Sequence, residues 1–236
     1  MPFNFYFKLI CLKNDFIINL AGLEIQSQDS RRFYLKTYIK KQQINLLHLN
    51  KNMGDGGYKI RNKEGVHFIT FAVVEWVDVF TRQTYRDILL ESIRHCQREK
   101  GLILNAWCIM SNHLHLVISA GDNNPSDILR DFKKFTSKKI IDCILNNNQE
   151  SRRDWMIEIF RNAGSNNPRN NQYQFWQQDN HPKEMWSQGF SQQKLNYIHN
   201  NPVDAGITDT DESFLYSSSR DYFYGKNCGL LKIEFL

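Results

Sequence analysis

The segment His113–Ala120, HLHLVISA, alternates two kinds of side chain along its length. Successive side chains of a β-strand point to opposite faces, so His113 and His115 share one face and the intervening aliphatic residues share the other. The aliphatic face requires an apolar layer, which helices can provide. The imidazoles lie on residues whose Cα atoms are about 7 Å apart, close enough to ligate one metal ion. The alternative is a pair of partly exposed histidines on the outer face of an amphipathic sheet.

Strand-like and helix-like segments alternate around this pair. We predict strands at 66–76, 102–110, 113–120 and 183–188. The predicted helices cover 84–100 with Gly101 as a stop, a long segment starting at Pro125 after the N-cap Asn124, a short segment at 155–160, and 191–202 with Ser191 as N-cap and Pro202 as terminator. This order predicts an α+β sandwich of the ferredoxin-like or RRM-like kind, in which a central antiparallel sheet carries helices on one face.

Composition narrows the class of protein only modestly. The chain has 236 residues and a net charge of +5, which is consistent with a polyanionic partner without requiring one. Its five cysteines include no C-x-x-C pair, so neither a disulfide framework nor a zinc finger is indicated, and we expect a reducing, cytoplasmic compartment. No apolar run of about 18 residues is present, so we expect no membrane span.

The domain organisation is predicted from changes in pattern along the chain. Residues 1–52 hold short apolar runs and a basic stretch that indicate no recognisable fold, and we expect them to be a dispensable extension or the product of an over-long start assignment. Orderly alternation begins after a glycine-containing loop. We therefore predict one domain at 53–226, followed by a C-terminal tail at 227–236.

A second candidate group lies on the helix KLNYIHNNP. Lys194, Tyr197 and Asn201 fall on one face at helical spacing, whereas Leu195 and Ile198 fall on an apolar face. Tyr197 is thus a candidate for chemistry, and the side-chain oxygen of Asn201 could complete a metal site. The alternatives are a packing role for the tyrosine and a helix-ending role for the asparagine.

Four segments occur in an order that resembles a known family. They are AWCIMSNHLHLVI, FWQQDNHP, YIHNNPVDAGI and FLYSSSRDY. Together they resemble the REP-associated tyrosine transposases, a branch of the single-tyrosine HUH transposases related to the small insertion sequences. The resemblance covers roughly residues 58–224 and implies the HUH endonuclease fold.

The resemblance implies a role for each candidate residue. His113 and His115 would be ligands of Mg²⁺ or Mn²⁺, and Tyr197 would attack a DNA phosphate to give a 5′-phosphotyrosine. Asn201 stands where the family places a third, amide-type ligand, although glutamine is commoner in the wider group. The alternative third ligands are His181 and His199.

The resemblance also implies single-stranded DNA with hairpins as the substrate, handled by a monomer or a homodimer in the nucleoid. A basic helix stripe and an aromatic, arginine-containing loop suit phosphate contacts and base stacking. The predicted DNA-binding residues are Arg130, Lys133, Lys134, Lys138, Lys139, Arg161, Arg169, Trp176 and Lys194.

Two other functions remain open at this point. One is a nucleic-acid-binding protein that keeps the fold and has lost catalysis, and the intact His113, His115 and Tyr197 argue against it. The other is a metal-dependent hydrolase that merely shares the H-x-H pattern. It is disfavoured because the sequence lacks a paired Asp/Glu cluster.

Overall fold

A four-stranded antiparallel sheet forms the centre of the computed structural model, with the strand order β2-β3-β1-β4. The strands are β1 (His67–Ala72), β2 (Leu102–Ile109), β3 (His113–Ala120) and β4 (Lys183–Glu184). The structure describes residues 60–121, 124–165, 172–178, 180 and 182–236. The predicted extension 1–52 lies outside the described residues. The predicted α+β fold is confirmed.

Five α-helices accompany the sheet in the described part of the chain: α1 (Gln83–Lys100), α2 (Pro125–Asn146), α3 (Arg153–Ser165), α4 (Gln188–Asp204) and α5 (Ser219–Tyr224). Two helix boundaries follow directly from local signals. Gly101 ends α1 in the left-handed conformation with φ 66°, and the Asn124 side chain accepts a hydrogen bond from the Ser126 N–H at the start of α2.

The bounds of α4 differ from the prediction at both ends. Ser187, rather than Ser191, is the N-cap: it has extended backbone angles and its hydroxyl accepts a hydrogen bond from the Phe190 N–H. The helix also continues past Pro202 to Asp204. A proline in the last turn removes a single intrahelical hydrogen bond. The last carbonyls of the helix, those of residues 201–203, accept hydrogen bonds from the N–H groups of Ala205, Gly206 and Ile207.

The two faces of the sheet are covered by different helices. Leu114, Leu116 and Ile118 belong to the main apolar core, which they share with buried residues of α1, α2 and α3. On the other face, Leu195 and Ile198 of α4 pack against a smaller cluster of β-strand residues. The predicted arrangement with helices on one face is therefore extended by α4 on the histidine face, because the alternate residues of β1, β2 and β3 there are also apolar.

The outer edge of β2 is covered by the C-terminal part of the chain. The Glu234 N–H donates to the Leu104 carbonyl, and the Ile109 N–H donates to the Tyr216 carbonyl. Ile233, in the predicted tail, is 2% exposed. The tail is thus packed along a strand edge that would otherwise present unpaired backbone groups. Within the described ranges, no helix is both long and apolar enough to cross a membrane.

Candidate active site

His113 and His115 project side by side from β3, with ring centroids 4.7 Å apart. Each ring is held through its Nδ1 atom, which lies 2.7 Å from Asn112 Oδ1 in His113 and 2.8 Å from Thr70 Oγ1 in His115. Such outer hydrogen bonds fix the tautomer and orientation of metal-binding imidazoles. They leave the two Nε2 atoms as the nitrogens available to a metal ion.

Both imidazoles are kept in the neutral form that binds metals. Desolvation lowers the pKa of His113 to about 4. Desolvation also lowers the pKa of His115, and the neighbouring His113 and Lys194 lower it further. At physiological pH neither ring has to lose a proton before it can donate a lone pair.

Helix α4 brings Tyr197 and Asn201 to the same place. Asn201 Nδ2 lies 3.0 Å from His115 Nε2, and the Tyr197 ring meets the His115 ring edge-on at a centroid distance of 5.3 Å. Turning the Asn201 amide exchanges its nitrogen for its oxygen at nearly the same position. The described residues contain no cluster of three His, Cys, Asp or Glu side chains suited to a metal, so a site here depends on two imidazoles and this amide.

Tyr197 is placed between protein and solvent. Its side chain is 39% exposed, and desolvation raises its pKa, an effect that a hydrogen bond with Asn201 partly offsets. The hydroxyl therefore carries its proton at neutral pH and needs help to act as a nucleophile.

His199 faces away from this group. Its Nε2 atom lies 3.0 Å from Ser218 Oγ, which also accepts a hydrogen bond from the Trp107 N–H of β2. His199 thus ties α4 to the sheet and is not an alternative metal ligand. The sequence reasoning missed the anchoring role of Ser218, for which the FLYSSSRDY segment was the available signal. His181, the other alternative, lies outside the described residues.

A strained turn borders the site on the side of His113. Glu75 and Trp76 both have positive φ, at 51° and 55°, which costs a non-glycine residue about 1–2 kcal/mol. The Asn112 Nδ2 group donates to the Trp76 carbonyl at 3.2 Å, and the Trp76 ring lies 5.8 Å from the His113 ring. One asparagine therefore holds both the turn and the first histidine. This turn also explains why β1 ends before the predicted 66–76 strand does.

Two predicted DNA-contact residues have roles inside the protein. The Trp176 ring is 4% exposed and its Nε1–H donates to Thr136 Oγ1 at 3.0 Å, so it is not available to stack on a base. Lys133 Nζ donates to the Gln177 carbonyl at 3.1 Å. Both contacts fasten the 172–178 segment to α2.

The other basic residues predicted to bind DNA do not form one continuous surface. Arg130 is compensated by Asp127 and Asp131, and the Arg161 guanidinium lies over the Tyr173 ring. The exposed lysines of α2 line a groove between α1 and α2, on the leucine side of the sheet and away from Tyr197; they are Lys134, Lys138 and Lys139. Arg169 lies outside the described residues.

Lys194 is the member of the described predicted set that lies beside the histidines and Tyr197. Its Nζ atom is 5.0 Å from the Phe68 ring centroid and 5.4 Å from that of Tyr197. It can place a positive charge next to the tyrosine hydroxyl and to any phosphate that approaches it.

A family model matches the part of the chain that contains the histidine strand β3. Residues 64–161 match the family model described as "Transposase IS200 like". This part of the chain, which holds β1, α1, β2, β3 and α2, is therefore similar to IS200-like transposases. This confirms the resemblance predicted from the sequence. The matched range includes His113 and His115 and ends before α4. The match therefore says nothing of Tyr197 and Asn201, which the folded chain brings next to His115.

A solved structure supports the same fold. The chain is similar to a REP-associated tyrosine transposase bound to a REP hairpin, with 20% identity and a TM-score of 0.52. The likeness covers 78% of this chain and 92% of that one. No curated protein matches the chain.

Proposed function

We propose that this transposase cuts and rejoins single-stranded DNA through a covalent bond to Tyr197. The observation that carries the proposal is the convergence of Tyr197 and Asn201 on His115, with Asn201 Nδ2 only 3.0 Å from the imidazole. Packing alone would not require a tyrosine, an amide and two neutral imidazoles to meet at one place.

The donor set fits a divalent cation, Mg²⁺ or Mn²⁺, held by His113 Nε2, His115 Nε2 and the Asn201 side-chain oxygen. When bound, the ion would polarise the scissile phosphate and offset the charge that develops on its oxygens. The hydrogen bond that each imidazole makes through Nδ1, to Asn112 and to Thr70, would orient the lone pairs on Nε2.

The proposed reaction transfers a phosphoryl group from DNA to Tyr197 and then from Tyr197 back to DNA. The Tyr197 oxygen bonds to phosphorus and the bond from phosphorus to the 3′ oxygen breaks, leaving a 5′-phosphotyrosine. The phenolic proton is lost to solvent and the departing 3′ oxygen gains one. A 3′-hydroxyl of another strand can reverse the step, which joins new ends without ATP. The Lys194 ammonium stabilises the phenolate and the phosphate during both steps.

We infer that the substrate is hairpin-bearing single-stranded DNA, in keeping with the hairpin bound by the similar transposase. Lys134, Lys138 and Lys139 would contact phosphates of a stem beyond the site. We expect the protein to act in the nucleoid as a monomer or a homodimer.

The test is a covalent adduct. The protein is mixed with Mg²⁺ or Mn²⁺ and 5′- or 3′-labelled hairpin oligonucleotides taken from DNA that flanks its gene. We expect a denaturant-resistant complex that retains the 3′-side label, is lost in Tyr197→Phe and is kept in the matched control Tyr224→Phe, whose ring is 58% exposed. Binding in both metals without any adduct would instead indicate a non-catalytic DNA-binding protein.

A further inference from the structure

A row of side chains runs along α4 and ends at Tyr197; we call Trp186, Phe190 and Lys194 the aromatic row. The Trp186 and Phe190 rings are stacked, with centroids 6.2 Å apart and planes 16° from parallel. Lys194 Nζ lies 5.3 Å from the Phe190 centroid and 5.4 Å from that of Tyr197. The row is therefore continuous from the start of the helix to the proposed nucleophile.

Helix capping explains the contact between the two rings but not the exposure of Trp186. Trp186 precedes the N-cap Ser187, and an apolar contact across a helix N-terminus stabilises the entry of the chain. Such a contact would be stronger with the ring buried, yet Trp186 is 77% exposed. A large aromatic face open to solvent beside a candidate active site indicates a binding surface.

The charge beside the rings favours a nucleic acid over a second protein surface. Within the described ranges Lys194 makes no ion pair with a carboxylate, and its ammonium lies over aromatic rings. Desolvation and the positive charge of Lys183 lower its pKa, so an approaching anion would relieve both effects. Flat apolar rings next to an unpaired cation match the two parts of a single strand, its bases and its phosphates.

We propose that the Trp186–Phe190 pair stacks on an unpaired base adjoining the scissile phosphate, while Lys194 contacts the backbone between that base and Tyr197. This inference rests on the proposed function, because it names the part of the substrate that leads into the site. The ring pair would hold the strand in line with the tyrosine without selecting a particular base, since every base offers an aromatic face.

The experiment measures binding without cleavage, in Tyr197→Phe protein. The probe is a labelled hairpin with about ten unpaired thymidines on each side, compared with the same hairpin whose flanks are abasic. We expect Trp186→Ala and Phe190→Ala each to weaken binding of the thymidine probe about 10-fold, and to leave binding of the abasic probe unchanged. Trp186→Phe should recover most of the loss.

The control is Phe223→Ala, which removes another exposed ring, 64% exposed and paired with Tyr224 on α5. It should bind both probes as tightly as the parent protein, which carries Tyr197→Phe alone. Equal affinity of Trp186→Ala and the parent would overturn the inference, as would an equal loss on both probes. A change in sedimentation without a change in DNA affinity would instead assign the row to contacts between copies. If the wild type forms no covalent adduct, the proposed function is contradicted but this inference is not, because the binding comparison needs no cleavage.

Discussion

The buried carboxylate of Glu150 provides a quantitative test of the fold on the leucine side of the sheet. Its side chain is fully buried and accepts hydrogen bonds from Arg152 at 2.9 and 3.2 Å and from the Tyr85 hydroxyl at 3.1 Å, with Arg82 at 3.3 Å. The bonds from Arg152 outweigh desolvation and lower the pKa of Glu150 from 4.5 to about 2. The ionised form is therefore favoured in the folded protein.

The sign of the pH effect follows from this depressed pKa. Stabilisation by Glu150 is complete above the unfolded pKa and is lost as the pH falls from about 4.5 towards 2. A shift of that size corresponds to about 3 kcal/mol of unfolding free energy. Breaking the cluster with Arg152→Ala would leave a buried charge and cost about 3–5 kcal/mol at pH 7.

The assay is urea unfolding of the wild type and of Glu150→Gln at pH 7, 5, 4 and 3. We expect the difference in unfolding free energy between the two proteins to be largest at pH 7 and to shrink steadily below pH 4.5. Asp154→Asn is the matched control, because that carboxylate is 90% exposed, and its difference should stay near zero. A Glu150→Gln difference that is constant from pH 7 to pH 3 would refute the argument.

Three further predictions concern the site and its surroundings. Asn112→Ala removes the hydrogen bond to His113 and should weaken Mn²⁺ binding about 10- to 100-fold by titration; unchanged affinity would contradict its orienting role. Trp176→Phe should lower the unfolding free energy by about 1–2 kcal/mol without reducing DNA affinity, and a selective loss of DNA binding would reverse this assignment. Lys134→Glu with Lys138→Glu should weaken binding to hairpin DNA and flatten its salt dependence, whereas an unchanged slope would remove these lysines from the interface.

The parts of the fold that were predictable have strong local causes. The alternation of HLHLVISA gave the bounds of β3 correctly, as Asn124 and Gly101 did for two helix ends. Ser191 and Ser187 are both plausible caps, and only the backbone geometry decides between them. The strained turn at Trp76 had no such local cause, because its conformation is imposed by hydrogen bonds from distant residues.

The sequence predicted that the four candidate site residues would lie together, but it did not predict their surroundings. His113, His115, Tyr197 and Asn201 meet in the folded chain as their spacing and the resemblance suggested. The burial of Trp176 was not predictable, because exposure depends on which segment packs over a ring and not on the ring itself. The position of the α2 lysines across the sheet from Tyr197 is likewise a result of topology.

Helix α4 carries the proposed nucleophile and third ligand on one side and its own attachment on the other. His199 bonds to Ser218, and through it to the backbone of β2, independently of the histidines on β3. A DNA end joined to Tyr197 would therefore be carried by a helix that is fixed to the sheet at a point separate from the strand that bears His113 and His115. Because this attachment involves neither His113 nor His115, the helix would keep its position on the sheet, and a bound end would stay in place for an incoming 3′-hydroxyl.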